Sequence, residues 1–340
     1  MNTVKTDWQA LHGNHFKNTR ALITGGAGFI GSHLAEALCA LGASVVVLDD
    51  LSGGAEENIK PFPVTFIKGS ILDKKVLAEA TAGCSYVFHQ AALGSVPRSV
   101  EQPDLYNDVN TTGTLNVLNA ARATHKSGGG GGGVKRVMFA ASSSVYGDNP
   151  VPWIETMPML PRSPYAATKA AGEALFRAYA ASYGLDTACL RYFNIFGPRQ
   201  NANSAYAAVI AAFAKAFLAG ERPVVFGDGE QSRDFTFVHN AVHANLLAAR
   251  AAGQIGGEVM NVGTGGRISV NHLARQMADM LSCPNLQPKH LGERAGDLKH
   301  SFADLARSRS ILHYDPIVPF DAGLAATVQW YAETLGRPAR

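Results

Sequence analysis

At 340 residues, 46% hydrophobic and 17% charged, the chain has the balance of an ordinary soluble globular protein, long enough for one extended domain or two fused ones. A formal charge of +3 is too small to indicate a nucleic-acid partner, and no apolar run is long enough to span a membrane. The first twenty residues carry Asp7, His12, His15 and Lys17 and no apolar stretch of the signal-peptide kind. Cys39, Cys84, Cys189 and Cys283 are far apart and form neither a metal-type pair nor a disulfide framework, which indicates a reducing, cytoplasmic compartment.

Arg20 to Thr24 reads as a short apolar strand, followed by the glycine-rich run Thr24-Gly25-Gly26-Ala27-Gly28-Phe29-Ile30-Gly31 and a helix from about Ser32 to Leu41. Ser44 to Leu48 is a near-continuous apolar run, the pattern of a strand buried on both faces of a parallel sheet. Val64 to Ile67 and Tyr86 to His89 are the next predicted strands, with Lys74 to Ala80 helical between them. Leu105 to Ala123 is a long helical pattern, Val137 to Ala141 a strand, Ser163 to Tyr183 a long helix and Thr187 to Tyr192 a strand. Ser127 to Gly133, a serine and six glycines, is a flexible surface connection between helix and strand. Strand alternating with helix predicts a doubly wound parallel α/β (Rossmann) sheet.

The pattern changes after Asn194. Gly197 to Gln200 reads as a turn, Ala205 to Ala219 as an amphipathic helix and Val224 to Phe226 as a short strand. Asp234 to Val238 and Val259 to Val262 look like strands flanking a helix from Asn240 to Ala251, and the last eighty residues mix short helices and loops. The expected division is a cofactor-binding domain of residues 1–195 plus 234–262, and a smaller α/β substrate-binding domain of residues 196–233 plus 263–340. The smaller domain is expected to close over the carboxyl ends of the strands, where such sheets bind ligands.

Gly25, Gly28 and Gly31 recur at every third position between a strand and a helix. Glycine there permits the tight turn, lets the backbone approach a pyrophosphate, and presents the free N–H groups of the helix start to it. Asp49 ends the second strand, where a carboxylate accepts hydrogen bonds from both adenosine ribose hydroxyls and repels a 2′-phosphate. NAD is therefore expected rather than NADP; the alternative for Asp49 is a solvated turn residue.

Tyr165 and Lys169 stand one turn apart on one helix face, after the run Ser142-Ser143-Ser144. The ammonium and a nicotinamide cation both stabilise a phenolate, which can take a proton from a sugar hydroxyl while the cofactor takes the hydride. This constellation reads as an enzyme. His239 and His243 are also one turn apart, but no carboxylate third ligand is evident, so no metal is expected; His89 reads as the end of a buried strand, and Arg98 either faces the substrate or caps a helix.

These residues, with His89-Gln90-Ala91-Ala92 and Arg191-Tyr192-Phe193-Asn194, resemble the extended short-chain dehydrogenase/reductases of the nucleotide-sugar epimerase/dehydratase group over nearly the whole chain. The likeness extends to the bacterial UDP-N-acetylglucosamine 4-epimerases through residues 94–99, 205–210, 227–235 and 296–301. The resemblance implies a reversible inversion at sugar C4 through a 4-keto intermediate, with Tyr165 as base, Lys169 tuning it and holding the nicotinamide ribose, and Ser142 bonded to the reacting hydroxyl. It assigns Asn110, Tyr192, Gln90 and Ala91, beside the glycine run with Phe29 and Ile30, to the cofactor, and Ser143 and Ser144 to the sugar. It assigns Asn194, Ala208, Val209, Arg233, Arg294 and Asp297 to the UDP portion, and implies a homodimer serving polysaccharide biosynthesis.

Ser143 and Ser144 stand where dehydratases of the group carry an acid pair, and hydroxyls are poor acid–base groups near neutral pH. By the same resemblance Ser301 leaves room for a sugar N-acetyl group, so UDP-GlcNAc, UDP-GalNAc and their uronic acid forms are the expected substrates; the alternative is a small surface residue. Gly69-Ser70-Ile71 departs from the usual Gly-Asp-Ile, which weakens an adenine contact, and Phe213, Val224 and Phe226 depart from the polar or larger residues expected there. The rival readings are a UDP-glucuronate or UDP-glucose 4-epimerase and a catalytically silent NAD-binding scaffold.

Overall fold

The computed structural model describes residues 4–125, 133–202, 208–293 and 298–336. A short helix α1 (Trp8–His12) precedes β1 (Arg20–Thr24), α2 (Phe29–Ala40), β2 (Ser44–Asp49), β3 (Val64–Lys68), α3 (Lys74–Thr81) and β4 (Tyr86–His89). Then come α4 (Val96–Glu101), α5 (Pro103–Tyr106), a wide π turn at Asn107–Thr112, α6 (Gly113–Thr124), β5 (Arg136–Ser142), α7 (Pro164–Tyr183) and β6 (Thr187–Tyr192). The remainder runs β7 (Ile195–Phe196), α8 (Val209–Leu218), β8 (Val224–Phe226), β9 (Ser232–Arg233), β10 (Thr236–Phe237), α9 (Val238–Arg250) and β11 (Glu258–Val262). It ends with β12 (Ile268–Ser269), α10 (Val270–Met280), β13 (Lys289–Leu291), β14 (His300–Ser301), α11 (Ala306–Leu312) and α12 (Phe320–Leu335).

Seven parallel strands form the central sheet in the order β11-β6-β5-β4-β1-β2-β3. The predicted doubly wound sheet is therefore present, and its order reverses beside β1, the position at which such sheets open a crevice for ligands. Every residue of β4 and β6 is buried, which explains why those strands read as apolar runs instead of alternating ones. One face is covered by α2 and α9, where Leu34, Leu38, Ala241 and Leu246 pack with Ile23 and Val47. The other is covered by α3, α6 and α7, where Leu77, Leu118 and Phe176 pack with Val46, Val87 and Cys189. Buried Arg136, at the start of β5, pairs with Asp186 at 2.6 Å and donates to the carbonyls of Ala248 at 2.6 Å and Ala251 at 3.1 Å. It thus satisfies carbonyls that the C-terminus of α9 cannot satisfy itself.

A separate core joins α8, α10 and α12 through Phe213, Phe217, Leu273, Met277, Leu324 and Val328. Several predicted elements differ from what is observed. Asp234–Val238 is not one strand: β9 and β10 flank Asp234, whose buried carboxylate accepts from Thr264 N at 2.8 Å, Thr264 Oγ1 at 2.6 Å and Gly265 N at 2.9 Å. This knot turns the chain between the two strands. The helix expected from Asn240 begins at Val238, and the 105–123 pattern is divided by the π turn. The final segment also holds longer helices than expected, since α12 runs for 16 residues. The helix expected from Ala205 is seen from Val209; residues 203–207 and most of the glycine run lie outside the described residues. No helix among the described residues is long and apolar enough to cross a membrane.

Candidate active site

A cavity of about 1160 Å³ opens at the carboxyl ends of the central strands, between the sheet and the second core. Its first wall is the β1–α2 turn, with Gly25, Gly28, Phe29, Ile30 and Gly31. A Cβ on Gly31 would come within 2.2 Å of the Gly25 carbonyl oxygen, and one on Gly25, at φ +70°, within 2.6 Å of the Ala91 amide nitrogen. The turn therefore packs only as glycine, and it leaves a backbone-lined cradle at the start of α2, where first-turn amides lack intrahelical acceptors. That is the donor set a dinucleotide pyrophosphate needs.

Asp49 lies at the next wall, 7% exposed, its carboxylate held by Ala27 N at 2.9 Å and Leu51 N at 2.8 Å. Burial pushes its pKa up, while the Leu51 and Ala27 amides pull it back. Each oxygen keeps a lone pair for a ribose hydroxyl. Gln90, Ala91 and Tyr192 continue the wall. Tyr192 Oη accepts from Asn245 Nδ2 at 2.6 Å and donates to Gln90 Oε1 at 3.2 Å, and Gln90 Nε2 donates to Asn245 Oδ1 at 3.2 Å. The closed triangle fixes both cavity side chains. Asn245 was not expected from sequence, since it is an ordinary position of α9 that only folding brings to β6.

At the reacting end stand Ser142, Ser143, Ser144, Tyr165 and Lys169, all on the cavity wall. Ser142 closes β5, and its Oγ accepts from the Ser144 amide at 3.2 Å and the Ser144 hydroxyl at 2.9 Å. Its own proton is left for a third partner. Tyr165 opens α7 behind the Ser163 cap and Pro164, an arrangement that suits a helix start. Burial raises the Tyr165 pKa, and a hydrogen bond with Ser142 lowers it again. Lys169 Nζ donates to the Ala140 carbonyl at 2.7 Å and lies 4.9 Å from the Phe139 ring centroid and 5.8 Å from that of Tyr165. Burial lowers its pKa to about 7, opposed by the charge of Glu173. One of its three protons is used on Ala140, so two remain for the cavity.

The far end carries Asn194, Gln200, Arg233, Leu298 and Ser301. Asn194 has a left-handed backbone (φ +37°) and donates to the Asp234 carbonyl at 3.1 Å. Asn110 is placed behind the wall: its amide braces Leu93 N at 2.8 Å and Thr168 Oγ1 at 3.1 Å. That amide supports the loop after β4 and the turn bearing Lys169; the cofactor contact is an expectation of the resemblance. Ala208 and Val209 sit at the start of α8 and are not among the described lining residues, and Arg294 and Asp297 lie outside the described residues. Trp153, Arg162 and Gln200 line the cavity without having been singled out from sequence; Arg162 stands three residues before Tyr165, and that spacing was the available signal.

The expected bland readings also have partners. His89 Nδ1 meets Thr24 Oγ1 at 2.7 Å and its Nε2 meets Thr114 Oγ1 at 2.9 Å, with the pKa lowered by burial to about 3. Arg98 Nε donates to Gln102 at 3.3 Å. His243 meets His12, and His239 meets Thr6, in the contact that holds α1. Among the described residues no cluster suits a metal ion.

Comparison with known proteins agrees with this arrangement. The model of the NAD dependent epimerase/dehydratase family matches residues 21–263. A UDP-glucose 4-epimerase of Mycolicibacterium smegmatis is 40% identical over 321 residues, 92% of this chain and 98% of its own. The structure of a UDP-N-acetylglucosamine 4-epimerase from Methanobrevibacter ruminantium, in complex with UDP-N-acetylmuramic acid, superposes with a TM-score of 0.87 at 41% identity, covering 94% of this chain and 99% of that one. A UDP-glucose 4-epimerase of Thermus thermophilus in complex with NAD gives 0.81 at 35%, covering 92% and 99%. The glycine cradle, the ribose carboxylate and the Ser–Tyr–Lys group together with these likenesses establish that the chain belongs to the NAD dependent epimerase/dehydratase family and is an NAD-dependent nucleotide-sugar 4-epimerase, an isomerase.

Proposed function

We propose that this enzyme interconverts UDP-N-acetylglucosamine and UDP-N-acetylgalactosamine, and accepts their uronic acid forms. The observation that carries the reading is Ser301, a small side chain on the cavity wall, paired in register with Arg233 across the β14–β9 ladder. A diphosphate held by the Arg233 guanidinium then lies beside the residue that limits the space around the sugar. The structural neighbour named as a UDP-N-acetylglucosamine 4-epimerase supports the same substrate. The second reading, UDP-glucose, is favoured by the name of the Mycolicibacterium smegmatis relative.

Bound NAD supplies the chemistry of accepting a hydride from sugar C4 and returning it. Gly25, Gly28, Gly31 and the start of α2 hold its pyrophosphate, Asp49 its adenosine ribose, and Gln90, Ala91 and Tyr192 the remaining wall. Tyr165 Oη takes the C4 hydroxyl proton and gives it back; Ser142 Oγ orients that hydroxyl; Lys169 holds the phenolate by its charge. Ser143 and Ser144 bond the sugar, while Asn194 and Arg233, with Ala208, Val209, Arg294 and Asp297, anchor UDP. An anchor remote from the reacting carbon lets the sugar turn over without escaping. The working unit is taken as a cytoplasmic homodimer through α6 and α7, whose Leu115 and Leu175 are only partly covered.

The test is Ser301→Tyr. Activity on UDP-GlcNAc is expected to fall by about a hundredfold or more, the scale on which a filled pocket rejects a group, while activity on UDP-glucose persists. Equal loss on both sugars would contradict the assignment of Ser301.

A further inference from the structure

Beneath Lys169, one turn along α7, lies Glu173, 3% exposed. Its two carboxylate oxygens are taken by Arg191 of β6, Oε1 by Nε at 2.8 Å and Oε2 by Nη2 at 2.7 Å. Arg191 is itself 2% exposed and its guanidinium stacks 4.5 Å from the Tyr146 ring centroid. A buried, bidentate pair of this kind is costly to desolvate, and a pair of well-packed apolar residues would serve stability as well. Its place supplies a different reason for it. Lys169 is buried over the Phe139 ring, and its described protein hydrogen bond goes to a neutral carbonyl. Gly172 brings α7 onto that ring so closely that a Cβ there would stand 2.3 Å from Phe139 Cζ.

We propose that Glu173 is a positioning residue for the reaction: its carboxylate, fixed by Arg191, keeps Lys169 charged and directed at Tyr165 and the cofactor. The proposal rests on the reading of Tyr165 and Lys169 given above. The titratable groups that face this pair from the packed elements are the buried His89 of β4, Cys189 of β6 and Tyr146, and the half-buried Tyr165 of α7. Burial holds His89 neutral near pH 7 and raises the pKa of Cys189, Tyr146 and Tyr165, so burial itself supplies none of them with a charge that would hold the Lys169 proton. On the packed elements Glu101, Asp104, Asp108, Arg122 and Arg177 are exposed, and Arg98 turns to Gln102. Burial drives Lys169 toward its neutral form, and among the described residues the charge working against that fall is Glu173.

The sign follows. Without Glu173 the ammonium loses its proton at lower pH, so the alkaline side of the activity profile moves down. The experiment measures kcat and KM against pH for NAD-loaded wild type, Glu173→Gln, and Glu173→Gln combined with Arg191→Met, with Lys169→Met as control. Glu173→Gln is expected to move the alkaline limb of kcat down by about one pH unit, a tenfold loss at pH values above it, with KM changed less than about threefold. The double variant leaves no buried charge unpaired and is the second arm should the single variant fail to fold; its limb is expected to move in the same direction. A limb that stays in place in either folded variant, or activity lowered equally at all pH, overturns the proposal. A Lys169→Met protein that keeps wild-type activity would instead overturn the reading of the site.

Discussion

Tyr165 with Lys169, and the three glycines, were legible in the sequence because each set stands close together in the chain, where spacing alone sets the geometry; Ser142, on a different strand, was assigned by the family resemblance. Asn245 and the Glu173–Arg191 pair were not, because their roles arise from strands and helices brought together by the fold. Asp234 shows the same limit from the stability side. It reads as the first residue of a strand, yet it collects bonds from Thr264, Gly265 and, at 3.3 Å, the Ala303 amide. Asp234→Ala leaves these donors buried without an acceptor, and the expected loss is about 3–5 kcal/mol. Because Asp234 joins the segments bearing Arg233, Gly263 and Ser301, KM for the sugar nucleotide is expected to rise as well. Chemical denaturation and steady-state kinetics read both; a loss under about 1 kcal/mol with unchanged KM would show that the knot does not hold this end of the cavity.

Among the elements, the central strands were predicted nearly to the residue because a strand buried on both faces leaves an unbroken apolar run bounded by turn residues. The strands of the second core are two or three residues long, too short to carry a period, so only β8 was read correctly. Helix α1 was not predicted at all. It is capped by Asp7 and held by histidines: Thr6 Oγ1 meets His239 Nδ1 at 2.7 Å, and His12 Nε2 meets His243 Nδ1 at 3.1 Å. Burial lowers His12 to about 3, and His239 and His243 to about 4. Unfolded, each takes a proton near pH 6.5, so between about pH 6.5 and 4 the unfolded chain binds more protons and stability falls as the pH falls. Each such imidazole adds a slope of up to ~1.4 kcal/mol per pH unit. Asp49, Glu155 and Asp234, raised by burial, act in the opposite sense at lower pH. Denaturation midpoints are expected to drop from pH 7 to pH 5, and less steeply in His243→Phe. A flat profile over that interval, or an equal drop in the variant, would contradict this account of α1.

At the scale of the whole molecule, the order of the seven-stranded sheet decides where chemistry happens. Its reversal beside β1 opens the crevice, β1 and β2 bring the glycines and Asp49 to one side, β5 and α7 bring Ser142, Tyr165 and Lys169 to the middle, and β9 with β14 brings Arg233 and Ser301 to the other. The residues lining the glycine wall and the Ser142–Tyr165–Lys169 wall were singled out from the sequence, while those of the Arg233–Ser301 end were only partly so, since they come from several short segments whose contacts no local pattern records. The central claim is C4 inversion of an N-acetylated UDP-sugar by an enzyme that retains its cofactor. It is tested most directly by proton NMR of the purified protein, without added NAD, mixed separately with UDP-GlcNAc and UDP-glucose. Appearance of the C4 epimer mainly from UDP-GlcNAc is the predicted result. Conversion of UDP-glucose alone would contradict the role of Ser301, and no conversion of either sugar even after NAD is supplied would contradict the epimerase itself.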